Sequence, residues 1–279
     1  MQLVVPKLAL AAVSAAFACM AHAADWRNLT AECHLGGRKA SAGYLQGKVV
    51  LVCRWDGNAA AAKSLLPRVE QVWRNFKTKP FVVVGSYEGA DDAQARAAGE
   101  EHSLSFAIYR EAGLAFGAPV TDTLPFMYVV DASGRVVYRG RDDRVATQAC
   151  VMAIADSESP RNLAQWRRFL EFELENLPGR AYLRVLDFRK AFPEEAREYD
   201  GRARELSKIP DVKKLAELVK ASRELKDALE RTEAERRKRM RDIDSVIRKY
   251  SSLTSHADRR VSQEAKNAIA DLKWTLASL

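Results

Sequence analysis

Apolar residues recur at two different spacings along this 279-residue chain, and the change from one to the other divides it. Residues 48–55, KVVLVCRW, are β-branched and largely apolar, which predicts a strand buried on both faces. Residues 59–76 then repeat apolar positions at helical spacing: Ala62, Leu65, Leu66, Val69, Val72, Trp73 and Phe76. Pro80 punctuates, residues 81–85 read as a second buried strand, and residues 91–102 as an Ala- and Glu-rich helix. A short apolar segment at 105–109 leads into a weak helix ending near Phe116. Residues 126–130 and 135–139 flank the turn Asp131-Ala132-Ser133-Gly134, a hairpin signal, and a helix over 142–155 follows. This order predicts an α/β fold, a mixed sheet with flanking helices. Residues 25–46 read as a lead-in marked by turns at Gly36-Gly37 and Gly47.

Beyond residue 156 only the helical period remains. Ser159-Pro160 reads as an N-cap followed by proline at the first helical position, opening a helix with Leu163, Trp166, Phe169, Leu170, Leu174 and Leu177 on its stripe. A helix over 180–192 and a third from Pro193 to about Ile209 follow. The segment from Gly179 has a tetratricopeptide flavour, but it occurs once, so no repeat array is expected. From Asp211 one continuous helix is predicted to about Tyr250, about 60 Å long at 1.5 Å per residue. Leu215, Leu218, Val219, Leu225 and Leu229 form its early apolar face, and Met240, Ile243, Val246, Ile247 and Tyr250 its late one. Residues 230–239 between them are almost wholly polar and read as a solvent-bridging stretch. A final helix from Ser255 carries Val261, Ala265, Ala268, Ile269, Leu272, Leu276 and Leu279 on one stripe. An antiparallel helical hairpin, a coiled coil or self-association would bury these faces.

Composition sharpens the division. Apolar residues make up 47% of the chain, enough for a sizeable core. From Gly179 onward there are 25 Lys and Arg against 18 Asp and Glu, so nearly all of the net +8 lies in the helical part. The expected organisation is a leader at 1–23, an α/β domain at 24–156, short helices at 157–210, and a long helix with a C-terminal helix at 211–279. The leader has Lys7, an apolar run over 8–18, and Ala21-His22-Ala23 as a small-x-small cleavage site. The run is shorter than the roughly 20 apolar residues that span a bilayer, so cleavage and export are expected. Cys19 follows Ala16-Phe17-Ala18, a poor lipobox, which makes lipid attachment the lesser alternative.

Export implies an oxidising compartment, in which Cys33, Cys53 and Cys150 remain as an odd set of three. Their spacing and that of the histidines fits no zinc pattern, and neither a metal nor another cofactor is expected. Arg236, Arg237, Lys238, Arg239 and Arg241 form the densest basic run. Its default is a solvated helix face; an anionic lipid or polysaccharide surface is the alternative, and export argues against nucleic acid.

Residues from about 43 to 155 resemble the thioredoxin-like family of the TlpA and peroxiredoxin-related type. Gly47-Lys48-Val49-Val50-Leu51-Val52 is similar to its GKVVLV strand, and Trp55 to the aromatic before its redox turn. Pro67 corresponds to the proline in its first helix, Leu124-Pro125 to its cis-proline, and residues 130–138 to its IDxxGxIVY hairpin. No one match is specific; their order and spacing together are.

In that family a W-C-x-x-C turn performs thiol–disulfide exchange through an attacking thiolate. Counted from Trp55 and back from Pro67, the two cysteine positions fall on Ala59 and Ala62, and the second tryptophan falls on Asn58. A methyl group can neither attack nor leave. The resemblance therefore implies a degenerate redox turn of Trp55, Asn58, Ala59 and Ala62. Beside it, Thr123, Leu124 and Pro125 would form a groove that presents backbone to a peptide. The expected function is a redox-inactive, exported protein-binding or structural module of the cell envelope. The alternatives are an oxidoreductase that has moved its thiol to Cys33, Cys53 or Cys150, and an assembly protein whose α/β domain is a spacer for the helices.

Overall fold

The computed structural model describes residues 29–57, 60–112, 124–228, 232–277 and 279. The lead-in contains two elements too short to show a period: β1 (His34–Gly36) and α1 (Ala42–Leu45), the latter capped by Ser41, which accepts from the Tyr44 N–H. Then come β2 (Val49–Trp55), α2 (Ala60–Phe76), β3 (Phe81–Tyr87), α3 (Asp92–Glu101) and β4 (Ala107–Arg110). The hairpin β5 (Phe126–Val130) and β6 (Val136–Gly140) precedes α4 (Asp143–Glu158). The weak helix expected after β4 begins at the edge of residues 113–123, which lie outside the described residues.

The sheet order is β1-β4-β3-β2-β5-β6. β2 is parallel to β3, with Val49 opposite Phe81, and antiparallel to β5, with Val50 opposite Val130. Alternation along β2 serves two cores, as expected for a strand covered on both faces. Leu51, Cys53 and Trp55 meet Leu66, Val69 and Trp73 of α2 and Cys150 and Ile154 of α4. Val50 and Val52 meet Tyr44, Leu45, Tyr109 and Tyr128 on the other face. In the hairpin turn, Asp131 Oδ1 accepts from Ser133 N (2.9 Å), Ser133 Oγ (2.6 Å) and Arg135 N (3.1 Å), and Gly134 takes φ +83°.

The helical part departs from expectation at three places. First, Ser159 ends α4, its N–H reaching the Ala155 carbonyl at 2.8 Å, and does not open the next helix. Asn162 caps α5 (Leu163–Asn176), accepting from Gln165 N at 3.0 Å, because it stands one residue before the apolar stripe. Second, after α6 (Pro178–Ala191) the segment following Pro193 forms a 3₁₀ turn (Glu195–Tyr199) and then α7 (Asp200–Lys208), where one helix was expected.

Third, the long helix is two: α8 (Val212–Asp227) and α9 (Glu233–Ser251). Thr232 and Glu235 form a capping box that starts a new helix: Thr232 Oγ1 accepts from Glu235 N at 3.2 Å, and Thr232 N donates to Glu235 Oε2 at 2.9 Å. The early and late apolar faces therefore fold onto each other and onto α10 (Arg259–Ala277), burying Leu215, Ile243, Tyr250, Val261 and Leu272 in one core. Burial of this kind contributes about 1.5–3 kcal/mol per large side chain.

The helices are fastened to one end of the sheet. Arg180 Nη1 donates to the Gly47 carbonyl (2.8 Å), Asn267 Nδ2 to the Gly43 carbonyl (2.6 Å) and Arg38 Nη2 to the Ala270 carbonyl (2.9 Å). Trp274 packs on Trp73 with ring centroids 6.0 Å apart. Gly47, at φ +70°, approaches so closely that a Cβ there would fall 2.4 Å from Leu177 Cδ1. Glu173 of α5 receives Arg184 of α6 through two hydrogen bonds (2.6 and 2.9 Å), and Arg184 also donates to the Ser157 carbonyl at 2.9 Å, tying α4, α5 and α6 together.

Candidate functional site

β2 ends at Trp55 and α2 starts at Ala60, so the expected redox turn joins the carboxyl end of a central strand to a helix N-terminus. Ala62 lies in the first turn of α2, whereas Asn58 and Ala59 are outside the described residues. In the antiparallel pairing of β2 and β5 the final pair is Arg54 with Phe126, which brings Pro125 level with Trp55 one step further on. The Leu124–Pro125 peptide is cis, with Pro125 buried and Leu124 half-buried. Thr123, the third expected groove residue, is outside the described residues.

Trp55 is 1% exposed and packs edge-on against Tyr87 at 5.8 Å. Gly85 on the neighbouring strand leaves the space for its ring: a Cβ there would stand 2.6 Å from Trp55 Cζ3. Alternation explains this, since the residue two past Cys53 returns to the face covered by α2.

Polar groups that sequence reasoning missed secure this end of the sheet. Glu88 Oε1 accepts from Arg54 Nε (3.1 Å) and Ser86 Oγ (2.7 Å), and Ser86 Oγ accepts from Ala112 N (3.0 Å). Tyr87 Oη reaches Gln94 Oε1 at 3.2 Å, and Glu88 N donates to the Trp55 carbonyl at 2.8 Å. The signal for it was a Ser and a Glu at alternate positions at the end of a buried strand.

The cysteines are dispersed, and none of the three described ones forms a disulfide. Cys53 on β2 and Cys150 on α4 lie in one core, and burial pushes both thiols up to about 12. Burial therefore removes the thiolate that either would need. Cys33, half-buried before β1, packs against the opposite core. Among the described residues no group of three His, Cys, Asp or Glu is arranged to hold a metal, and no helix is long and apolar enough to cross a membrane. The leader and Cys19 are outside the described residues.

The basic run is not one patch. Arg236, Arg237, Lys238 and Arg241 are exposed on α9, and Glu233 pairs with Arg236 (3.7 Å) and Arg237 (3.1 Å). Arg239 turns inward, 8% exposed, and donates to the Leu225 (2.7 Å) and Lys226 (3.2 Å) carbonyls at the end of α8. It shares the stripe of Ile243, Val246 and Tyr250, and it caps a helix instead of facing solvent.

No protein-family model and no curated relative matches the chain. It is similar to several solved structures. A thiol:disulfide interchange protein of the thioredoxin family from Chlorobium tepidum aligns at 17% identity and TM-score 0.41, over 48% of this chain and 96% of that one. A secreted disulfide oxidoreductase from Mycobacterium tuberculosis aligns at 18% and 0.37, over 46% and 98%. A thiol-disulfide isomerase from Corynebacterium glutamicum aligns at 15% and 0.37, over 44% and 90%. In its own strand order, its helices on both sheet faces and the cis-proline level with the end of β2, the chain is a thioredoxin-like α/β fold followed by an all-α C-terminal extension.

Proposed function

We propose that this chain is an exported, redox-inactive thioredoxin-like protein that binds a protein partner in the cell envelope. The state of its cysteines carries the reading. Cys53 and Cys150 are sealed in the core with thiols pushed up to about 12, and the spacing from Trp55 to Pro67 puts alanine at both redox positions. A fold that has kept its cis-proline but offers no thiolate beside it has binding left to do. The helical extension is fastened at Gly43, Gly47 and Trp73, at the other end of the sheet, which leaves the Leu124–Pro125 end for a partner.

Two measurements on the full chain test this. Insulin reduction by dithiothreitol should proceed no faster with the protein than without it. A partner captured from envelope extract and identified by mass spectrometry should be lost on Leu124→Asp. Turnover that disappears when Cys33, Cys53 or Cys150 is changed to Ser would replace the binding reading with a relocated-thiol enzyme. Capture that survives Leu124→Asp and fails when the exposed arginines of α9 are changed would move the function to the helices.

A further inference from the structure

A cavity of about 340 Å³ lies where the amino ends of β2 and β3 meet the helical extension. It falls in the size range of small-molecule sites, about 300–1,000 Å³. Its apolar lining is formed by Pro80, Val219, Ala268 and Leu272. Much of the rest is charged. Lys48, 7% exposed, enters from the start of β2, and Arg223 and Lys226, one turn apart, enter from α8. Arg223 is exposed and marks the rim.

Lys48 and Lys226 share one carboxylate. Asp271 Oδ1 accepts from Lys48 Nζ (3.1 Å) and Tyr44 Oη (2.7 Å), and Oδ2 lies 3.4 Å from Lys226 Nζ. The other deep carboxylate, Glu264, has its oxygens engaged by backbone N–H groups, Gly179 at 2.8 Å and Arg180 at 3.0 Å. Glu173, which Arg223 also feels, is already bonded by Arg184 and paired with Arg180 at 3.1 Å. Lys48 and Lys226 on one carboxylate, with Arg223 near only carboxylates that are already engaged, leave a deficit of negative charge beside the apolar lining. Burial first, with Lys226 and Arg38, holds Lys48 down to about 7 in spite of Asp271.

We propose that this cavity is a binding site for a small organic anion, a carboxylate or phosphate monoester. Its headgroup lies between Lys48, Lys226 and Arg223, and its apolar body lies on Val219, Ala268 and Leu272. Charge-assisted bonds are the strong class of hydrogen bond, here from buried Lys48, half-buried Lys226 and Arg223 at the rim, and the apolar lining distinguishes an organic acid from a bare ion. The site is at the end of the sheet away from Pro125, and it stands independently of the partner-binding reading.

Isothermal titration of the full chain with phenyl phosphate, benzoate, benzyl alcohol and inorganic phosphate tests it. At least one of the two anionic aromatics should bind with 1:1 stoichiometry, and which one does identifies the headgroup. Inorganic phosphate should bind about tenfold or more weakly, and benzyl alcohol not measurably. Arg223→Met with Lys226→Met removes two charge-assisted contacts and should weaken binding about tenfold or more. Ala268→Phe, which fills the apolar side, should block it. Failure of both aromatics to bind, affinity unchanged in the double variant, or inorganic phosphate binding as tightly as phenyl phosphate would overturn the proposal. Circular dichroism of each variant shows whether a loss of binding is a loss of fold.

Discussion

Lys48 Nζ and Asp271 Oδ1 stand 3.1 Å apart and join the residue just before the central strand to α10. The ion pair is enclosed, so removing one partner strands the other charge. Asp271→Asn leaves Lys48 without a carboxylate and should cost about 3–5 kcal/mol in urea denaturation. Lys48→Met leaves Asp271 with Lys226 and Tyr44 and should cost less. The double variant should be more stable than the sum of the two predicts, by about 1 kcal/mol or more. Strict additivity would mean that the pair is not coupled.

Burial separates the thiols. With Cys53 and Cys150 raised from 9.0 to about 12, thiolate at neutral pH is reduced by about a thousandfold relative to a free cysteine. Iodoacetamide on the native chain should therefore modify Cys33 first, with Cys53 and Cys150 labelled only as the chain unfolds. Peptide mapping by mass spectrometry reads this directly. Rapid native labelling of Cys53 would contradict its placement in the core.

Glu264 sets a pH dependence of known sign. Burial raises its carboxyl to about 7, against the lowering effect of the Gly179 and Arg180 N–H groups and the Arg180 guanidinium; Glu173 adds to the rise. The folded state then holds a proton that the unfolded state releases above about 4.5. This contribution to stability is complete below that pH and is lost as pH rises through 7. Glu264→Gln lacks the titration. The stability of wild type relative to this variant should fall by about 3 kcal/mol between pH 4.5 and 7.5. Lys48, displaced down to about 7, acts in a separate window, where loss of its charge favours the fold as pH climbs from 7 toward 10.5. A flat difference profile would show that Glu264 is ionised throughout.

The exposed and buried members of the basic run should separate by mutation. Arg239→Ala removes two donors from the end of α8 and should destabilise by about 1–2 kcal/mol. Arg237→Ala, which breaks only an exposed pair with Glu233, should change stability by less than about 0.5 kcal/mol. Thermal melts of the two variants decide it.

How far these features could be read in advance depends on their range along the chain. β2, α2 and the hairpin at Asp131 were legible because each has a long apolar period or a turn residue with a local job. The cis-proline was placed by the resemblance of Leu124-Pro125 to the family's position, not by any local pattern. The split at Thr232 was hidden because residues 230–239 suit a helix throughout, and only the Thr232–Glu235 box marks a restart. Arg239 could have been found, since it falls four residues before Ile243 and seven before Val246, on a stripe otherwise apolar. The burial of Trp55 follows from counting alternate positions from Cys53, which a resemblance to a redox turn obscured. The cavity was not legible. It needs Lys48, Arg223 and Asp271 in one place, and no periodicity connects them.

The partners at positions 48 and 271 are 223 residues apart, and the chain is made in one direction. Every strand of the sheet is synthesised before the helix that neutralises Lys48 exists. Until α10 arrives, the lysine at the mouth of the central strand stays hydrated and the amino end of the sheet stays open. The helix that meets Lys48 thus follows every strand of the sheet along the chain, and a chain cut short before Asp271 would carry the sheet sequence without the carboxylate that Lys48 meets.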